Sequence, residues 1–258
     1  MKGAIETSLY ASLITQWITL IVNFWSFTLK LPDFDEILRT VLGIETFVQI
    51  VELIFYGWYT INLHKVAEMT FYRYHDWVVT TPLMLFSTMI YYEYRNNPNE
   101  KTTLESFLEK HWGKTLIVFF FNLVMLGFGY AYERNLLDVL TANVLGFVGF
   151  GGSFYVMWDS FASKNPENYP LFFFMFGIWF LYGIAAFFNP TWKNVSYNIL
   201  DVFAKNFYGV FLSYLIYQKS IGAENKDVLA SQVPSGSVNS EEPRAKARRD
   251  SADSDVVA

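Results

Sequence analysis

No cysteine occurs among the 258 residues, which excludes structural disulfides, thiolate metal sites, cysteine nucleophiles and palmitoylated cysteines together. Charge is scarce as well: 17% of residues are Asp, Glu, Lys or Arg, against roughly 25% in an ordinary soluble domain. The net charge of -5 comes with no basic stripe except a short one near the end, so it identifies no nucleic-acid partner. No basic segment precedes the first apolar run and no small-residue cleavage site follows it. That run is therefore expected to be a retained helix, not a signal peptide. No internal repeat of fixed short period is visible.

Apolar residues dominate instead. They make up 53% of the chain, with 26 Phe, 17 Tyr and 8 Trp. Long uncharged runs without a polar face have nothing to turn toward water, and a lipid bilayer is the solvent that suits them. Stretches of about 20 residues that could cross a hydrocarbon core of about 30 Å occur in seven places. Residues 8 to 29, 115 to 132, 139 to 158 and 168 to 192 contain no Asp, Glu, Lys or Arg. Residues 37 to 60, 70 to 94 and 194 to 218 are apolar in bulk but enclose Glu45, Glu52, Arg73, Asp76, Asp201 and Lys205. This is the pattern of an all-α integral, multi-pass membrane protein. An odd number of spans puts the termini on opposite sides. With the N-terminus extracellular, 13 Lys and Arg lie in the inner loops and tail against five outside, so the C-terminus is expected in the cytoplasm. From residue 222 the chain turns to Ser, Asp, Glu, Arg and Ala without apolar periodicity. Residues 219 to 258 are accordingly expected to form a disordered cytoplasmic tail.

An ionisable side chain at the centre of a membrane helix costs about 2.5 to 3.5 kcal/mol, so it needs a partner or a wet cavity. Lys205 sits eleven residues into the last span, and Asp201 is one helical turn before it. In the third span Arg73, Asp76, Thr80 and Ser87 share one stripe. Facing stripes of this kind have three readings: a buried ion pair that fixes helix register, an ion-coupling site of a transporter, or a lysine that condenses with a carbonyl to form a Schiff base. Spacing alone does not choose among them.

The residues themselves are more specific. Arg73-Tyr74-His75-Asp76-Trp77-Val78-Val79-Thr80-Thr81-Pro82-Leu83, followed by Leu200-Asp201-Val202-Phe203-Ala204-Lys205 in the seventh span, resembles the third and seventh helices of microbial (type 1) rhodopsins. The likeness extends to Trp179-Phe180-Leu181-Tyr182 in the sixth span and to Asn122 and Met125 in the fourth, and covers about residues 8 to 218. It implies a seven-transmembrane-helix bundle with a retinal pocket over residues 1 to 218, a photoreceptor and not an enzyme, with no metal. All-trans retinal would form a Schiff base on Lys205, with Asp76 and Asp201 as counterions and Arg73 below them. Trp77, Thr81, Pro82, Met125, Trp179 and Tyr182 would line the pocket. The resemblance also implies a homo-oligomer.

Some positions depart from the family's light-driven proton pumps. Ser87 stands where outward pumps carry the carboxylate that reprotonates the Schiff base, eleven residues beyond the counterion. Gly183 replaces a proline after Tyr182, Ala186 replaces a tryptophan, and no outer glutamate appears between Phe187 and Trp192. Contacts of the fifth helix to the ring are not assignable, and Gly151-Gly152 there reads as packing relief.

Polar stripes mark a route for ions. Ser12, Gln16, Thr19 and Asn23 share a face of the first span, Glu45, Gln49 and Glu52 one of the second, and Asn194, Asn198, Asp201 and Lys205 one of the seventh. The bland alternative is that these groups only hydrogen-bond between helices. Paired second-span glutamates, short length and a missing proton donor resemble the group 1 rhodopsins of giant algal viruses, implicated as light-gated cation channels. The expected function is a light-gated channel for monovalent cations or protons, with a light-driven outward proton pump as the alternative. Ser12, Glu45, Gln49, Glu52, Asn198 and Asn206 would form the ion pathway, with Glu52 and Asn206 at a central constriction and Glu45 at a cytoplasmic one.

Overall fold

Among the described residues, seven helical rods run in alternating directions. The computed structural model describes residues 2–64 and 69–232, and among them there is no strand. The rods are α1 (Lys2–Phe27), α2 (Ile37–Ile61), α3 (Met69–Asn96), α4 (Leu104–Glu133), α5 (Val139–Ser160) and α6 (Tyr169–Ala185). The seventh consists of α7 (Pro190–Asp201), a π-helical turn at Val202–Asn206 and α8 (Phe207–Gln232) in unbroken sequence. The first turn of α1, the ends of α2, α4 and α6 and the starts of α3, α5 and α7 share one face of the bundle. The turns after α1, α3 and α5 and the end of α8 share the other, here called the tail face.

Local chemistry explains where three of the rods begin. Thr103 and Ser106 form a capping box at α4, satisfying backbone donors that the first turn leaves without partners. Asp138 accepts from the backbone N–H of Leu140 and Thr141 at α5. Asn189 accepts from Trp192 N ahead of Pro190, which costs nothing at the first helical position because its missing N–H has no intrahelical partner there.

Which faces are buried decides the solvent. On α1 the polar stripe Ser12, Gln16, Thr19 and Asn23 is at most 1% exposed, whereas Ile21 on the opposite side is 64% exposed. Polar groups face inward and apolar ones outward, as hydrocarbon surroundings require. Five of the described rods are long and apolar enough to cross a membrane by length and composition alone: α1, α4, α5, α6 and the seventh. The other two, α2 and α3, pack inside the bundle with mostly buried polar stripes.

The boundaries differ most from the sequence expectation in four places. α1 starts at Lys2, not 8. α4 starts at Leu104, not 115, because Glu, Lys and Ser in its first turns shorten an apolar window but not a helix. α6 stops at Ala185, not 192, because Asn189-Pro190 starts a new helix. α8 runs to Gln232, well past 218: residues 219–232 contain one Gly and no Pro, and extending an existing helix avoids the cost of nucleation. The rest of the expected tail, 233–258, lies outside the described residues.

Polar clasps close both faces. Asp35 accepts from Lys219 Nζ at 3.0 Å and from the phenol of Tyr94, tying the first turn to α3 and α8. On the other face Glu133 accepts from Lys193 Nζ at 2.8 Å and from Thr70 Oγ1 at 2.6 Å, joining α4, α7 and α3.

Candidate functional site

The third-span and seventh-span stripes meet in the centre of the bundle. The period of α3 puts Arg73, Asp76, Thr80 and Ser87 inside, and all four are buried. On the seventh rod the π turn adds a residue to one helical turn, a distortion common at functional sites. Lys205 and its neighbour Asn206 are both buried there, as is Asp201 one turn earlier.

Lys205 Nζ donates to Asp76 Oδ2 at 2.7 Å, with Glu52 Oε1 at 3.6 Å and Asp201 Oδ1 at 3.7 Å. Arg73 Nη1 donates to Asp201 Oδ2 at 2.9 Å, and Nη2 donates to Asn198 Oδ1. Asp201 also accepts from Tyr56 at 2.8 Å and from Tyr182 at 2.6 Å. Its carboxylate thus has three direct donors. The rings of Phe55, Tyr56, Tyr59 and Tyr197 surround the guanidinium at 5.5 to 5.8 Å. Two cations and three carboxylates are therefore shut away from water. Burying such charges is costly unless each is paired, and Asp201 and Asp76 take up the pairing.

A cavity opens on Lys205 and Asp201 and extends between α3, α4, α5 and α6. Trp77, Thr81, Met125, Trp179 and Tyr182 line it as the sequence leads one to expect. Pro82 does not. It follows Thr81 by one residue, a turn of about 100° that carries it off the Trp77–Thr81 stripe. On the fifth helix, where the sequence left the wall unassigned, Ala142, Asn143, Gly146, Phe147 and Phe150 line the cavity. An added Cβ at Gly183 would lie 2.4 Å from the Phe147 ring, so glycine in place of proline lets that ring reach the wall. Asn122 Nδ2 donates to Thr81 Oγ1 at 2.9 Å and fastens α4 to α3 beside the cavity.

The family model for bacteriorhodopsin-like proteins matches residues 4–219. The chain belongs to this family. The structure is similar to that of the viral rhodopsin OLPVRII, with a TM-score of 0.74 and 29% identity over 83% of this chain and 98% of that one. It also resembles the blue light-absorbing proteorhodopsin from Med12, with a TM-score of 0.65 and 17% identity over 83% of this chain and 97% of that one. The light-driven proton pump LR (Mac) from Leptosphaeria maculans gives a TM-score of 0.61 and 12% identity over 83% and 96% of the two chains. At these two identities the likeness speaks for the fold alone. No curated protein matches.

The family binds retinal, and the protein is a multi-pass integral membrane protein. The residues present fit that group. An amine stands at the wall of a cavity otherwise faced mainly by aromatic, aliphatic and glycine residues, with anions within 4 Å of it, and the indole Nε1 of Trp179 is buried without a hydrogen-bond partner. These are the features a long apolar chromophore carrying a cation needs.

The residues expected along the ion route fall into two groups. Toward the N-terminal face, Ser12 Oγ donates to the Asn198 carbonyl at 2.6 Å, and Asn198 Nδ2 donates to Ser8 Oγ at 2.9 Å. Toward the tail face are Glu45, in contact with Ser87 Oγ, then Gln49, Glu52 and Asn206, all buried. Part of the α1 stripe is plain interhelical bonding, as in Asn23 with Ser213. Sequence reasoning missed Tyr56 and the closeness of Glu52 to Lys205. The signal was present, since Glu45, Gln49, Glu52 and Tyr56 follow one another at helical spacing on α2.

Proposed function

We propose that the protein is a photoreceptor that acts as a light-gated channel for monovalent cations, with all-trans retinal carried on Lys205. One observation carries this reading. Gln16 on α1, Glu45, Gln49 and Glu52 on α2 and Asn206 on the seventh rod all hold buried polar atoms with no hydrogen-bond partner in the protein. A helix pair that only locked its register would satisfy such atoms, because each unmet one costs on the order of 1 to 3 kcal/mol. A seam of them is served by water, and its carboxylates draw cations.

Retinal, when bound, supplies light absorption and a double-bond isomerisation to the 13-cis form. The chain's residues do the rest. Asp76 Oδ2, 2.7 Å away, accepts the proton from Lys205 Nζ. Once Nζ is neutral, Glu52 at 3.6 Å is no longer attracted to it. Glu52 is then free to turn, and the seam between α1, α2, α3 and the seventh rod widens. In this reading Glu52 and Asn206 make the central constriction and Glu45 with Ser87 the one nearer the tail face. Asp201 stays fixed by Arg73, Tyr56 and Tyr182 throughout. The Lys/Arg distribution supports an extracellular N-terminus and a cytoplasmic tail face.

The rival reading, a light-driven outward proton pump, draws on the same Lys205–Asp76 contact. Photocurrents under voltage clamp separate them. A channel's current changes sign at the reversal potential of the permeant cation and follows it when the bath cation is replaced. A current that stays outward at every voltage would overturn the channel reading.

A further inference from the structure

We propose that Asp35 is a site for a monovalent cation at the tail-face mouth of the seam, and that the Lys219 ammonium is its tethered occupant, which an entering cation must displace. The proposal rests on the channel reading and is tested apart from it.

Toward the tail face, the inner sides of α2, α3 and the seventh rod change character together. On α2, Glu45 gives way at helical spacing to Leu42 and Leu38, and then to Asp35 in the turn just ahead of the helix. On α3, Ser87 is followed by Tyr91 and Tyr94, and on the seventh rod Leu212 and Ile216 lead from Asn206 to Lys219. Leu38, Leu42, Tyr91, Leu212 and Ile216 are at most 4% exposed and belong to one cluster. An apolar layer thus separates the seam from a polar group made of Asp35, Tyr94 and Lys219.

The clasp on the opposite face differs in every respect that matters here. It joins α4, α7 and α3, away from the α1 and α2 stripes. Both oxygens of its carboxylate are taken, Glu133 Oε1 by Lys193 and Oε2 by Thr70, and the Lys193 side chain is only 6% exposed. That clasp is a fixed tie.

The Asp35 group is built to exchange its cation. Lys219 Nζ stands 3.0 Å from Asp35 Oδ1 and 5.7 Å from the centre of the Tyr94 ring, and the Tyr94 phenol donates to the same oxygen. A carboxylate and a ring face both attract cations. Among the described residues no hydrogen-bond donor reaches Asp35 Oδ2, which leaves it open to a further ligand. The Asp35 side chain is 8% exposed and that of Lys219 46%, so the anion is held in place while the ammonium swings into water on its flexible stem. Pairs exposed to this degree are weak. A cation from the tail-face solution therefore competes with Nζ for Asp35 before it meets the apolar layer.

The test is the outward photocurrent of the full chain with all-trans retinal in excised patches, measured against the Na+ concentration at the tail face, the cytoplasmic side in the orientation that the Lys/Arg distribution supports. In Lys219→Gln the competitor is gone, and the half-saturating concentration should fall roughly fivefold, the factor that a half-exposed ion pair supports. Lys219→Arg keeps the charge and should stay near the parent. With Asp35→Asn in place, Lys219→Gln should have no further effect. Equal half-saturation in the parent and Lys219→Gln, or the same fall without Asp35, overturns the proposal. Lys219→Met is read in the same way if Lys219→Gln fails to take up retinal. Should the parent give no current that reverses, the channel reading falls, and the melting temperature decides on the site. Stabilisation of Lys219→Gln by Na+ over choline that is lost with Asp35→Asn supports it, and equal melting in the two salts overturns it.

Discussion

The phenol of Tyr56 donates to Asp201 Oδ2 at 2.8 Å, on the same oxygen that takes Arg73 Nη1 at 2.9 Å. This bond ties α2 to the seventh rod at a wholly buried carboxylate. Tyr56→Phe removes one of its three direct donors and leaves the ring in place. A hydrogen bond to a charged group contributes about 1.5 to 3 kcal/mol, so thermal unfolding in detergent should register a loss of that size. The absorption band should move too, because Asp201 also faces Lys205. An unchanged melting temperature would mean that Arg73 and Tyr182 suffice.

Asp76→Asn removes the negative charge 2.7 Å from Lys205 Nζ and keeps the shape of the side chain. The cation there loses its stabilisation in the dark state. The visible band should shift to the red, measured by absorption spectra of the two purified proteins. A band that stays in place would assign the counterion role to Glu52 or Asp201.

Glycines set the distance between α4 and α5. An added Cβ at Gly149 would lie 2.5 Å from Met125 N and 2.6 Å from Phe121 O, both backbone atoms that cannot turn aside. Gly149→Ala should therefore push the helices apart at a cost of about 1 to 3 kcal/mol and disturb the cavity wall at Met125. Gly151→Ala is the control, since nothing lies within 4 Å of its added Cβ. Melting curves of the two variants should differ clearly.

Outside the membrane, Asp138 offers a pH test. The hydroxyl and backbone N–H of Thr141 and the backbone N–H of Leu140 hold its carboxyl below the ordinary aspartate value. A lowered folded-state value contributes stability at pH above the unfolded value of about 3.9, lost as pH falls through the folded one. Asp138→Ala should lower the melting temperature at neutral pH, and the difference from the parent should shrink in acid. A difference that does not vary with pH would contradict the capping account.

The membrane fold was legible because hydrocarbon imposes a simple rule on sequence, and the seven apolar stretches all proved to be rods. Their ends were less legible. An apolar window detects what fits in lipid, whereas caps and helix formers set where a helix stops, hence α4 from Leu104 and α8 to Gln232. In the site, periodicity aligned Arg73 with Asp76 on α3, and Asp201 and Lys205 both stay buried in the bundle although a π turn, which no spacing rule announces, begins between them. Periodicity carried no information on distance between helices, so the 3.6 Å approach of Glu52 to Lys205 and the Tyr56 clamp came only with the structure. Pro82 was assigned to the cavity by resemblance, and the helical turn of about 100° per residue removed it.

Lys205 is the residue on which the account depends. The direct measurement is the visible absorption spectrum after all-trans retinal is added to the purified parent protein and, in parallel, to Lys205→Ala. The parent should develop a visible band with a melting temperature higher than that of the retinal-free protein, and the variant should show neither change. A band of parent intensity in Lys205→Ala, or none in the parent, would contradict it.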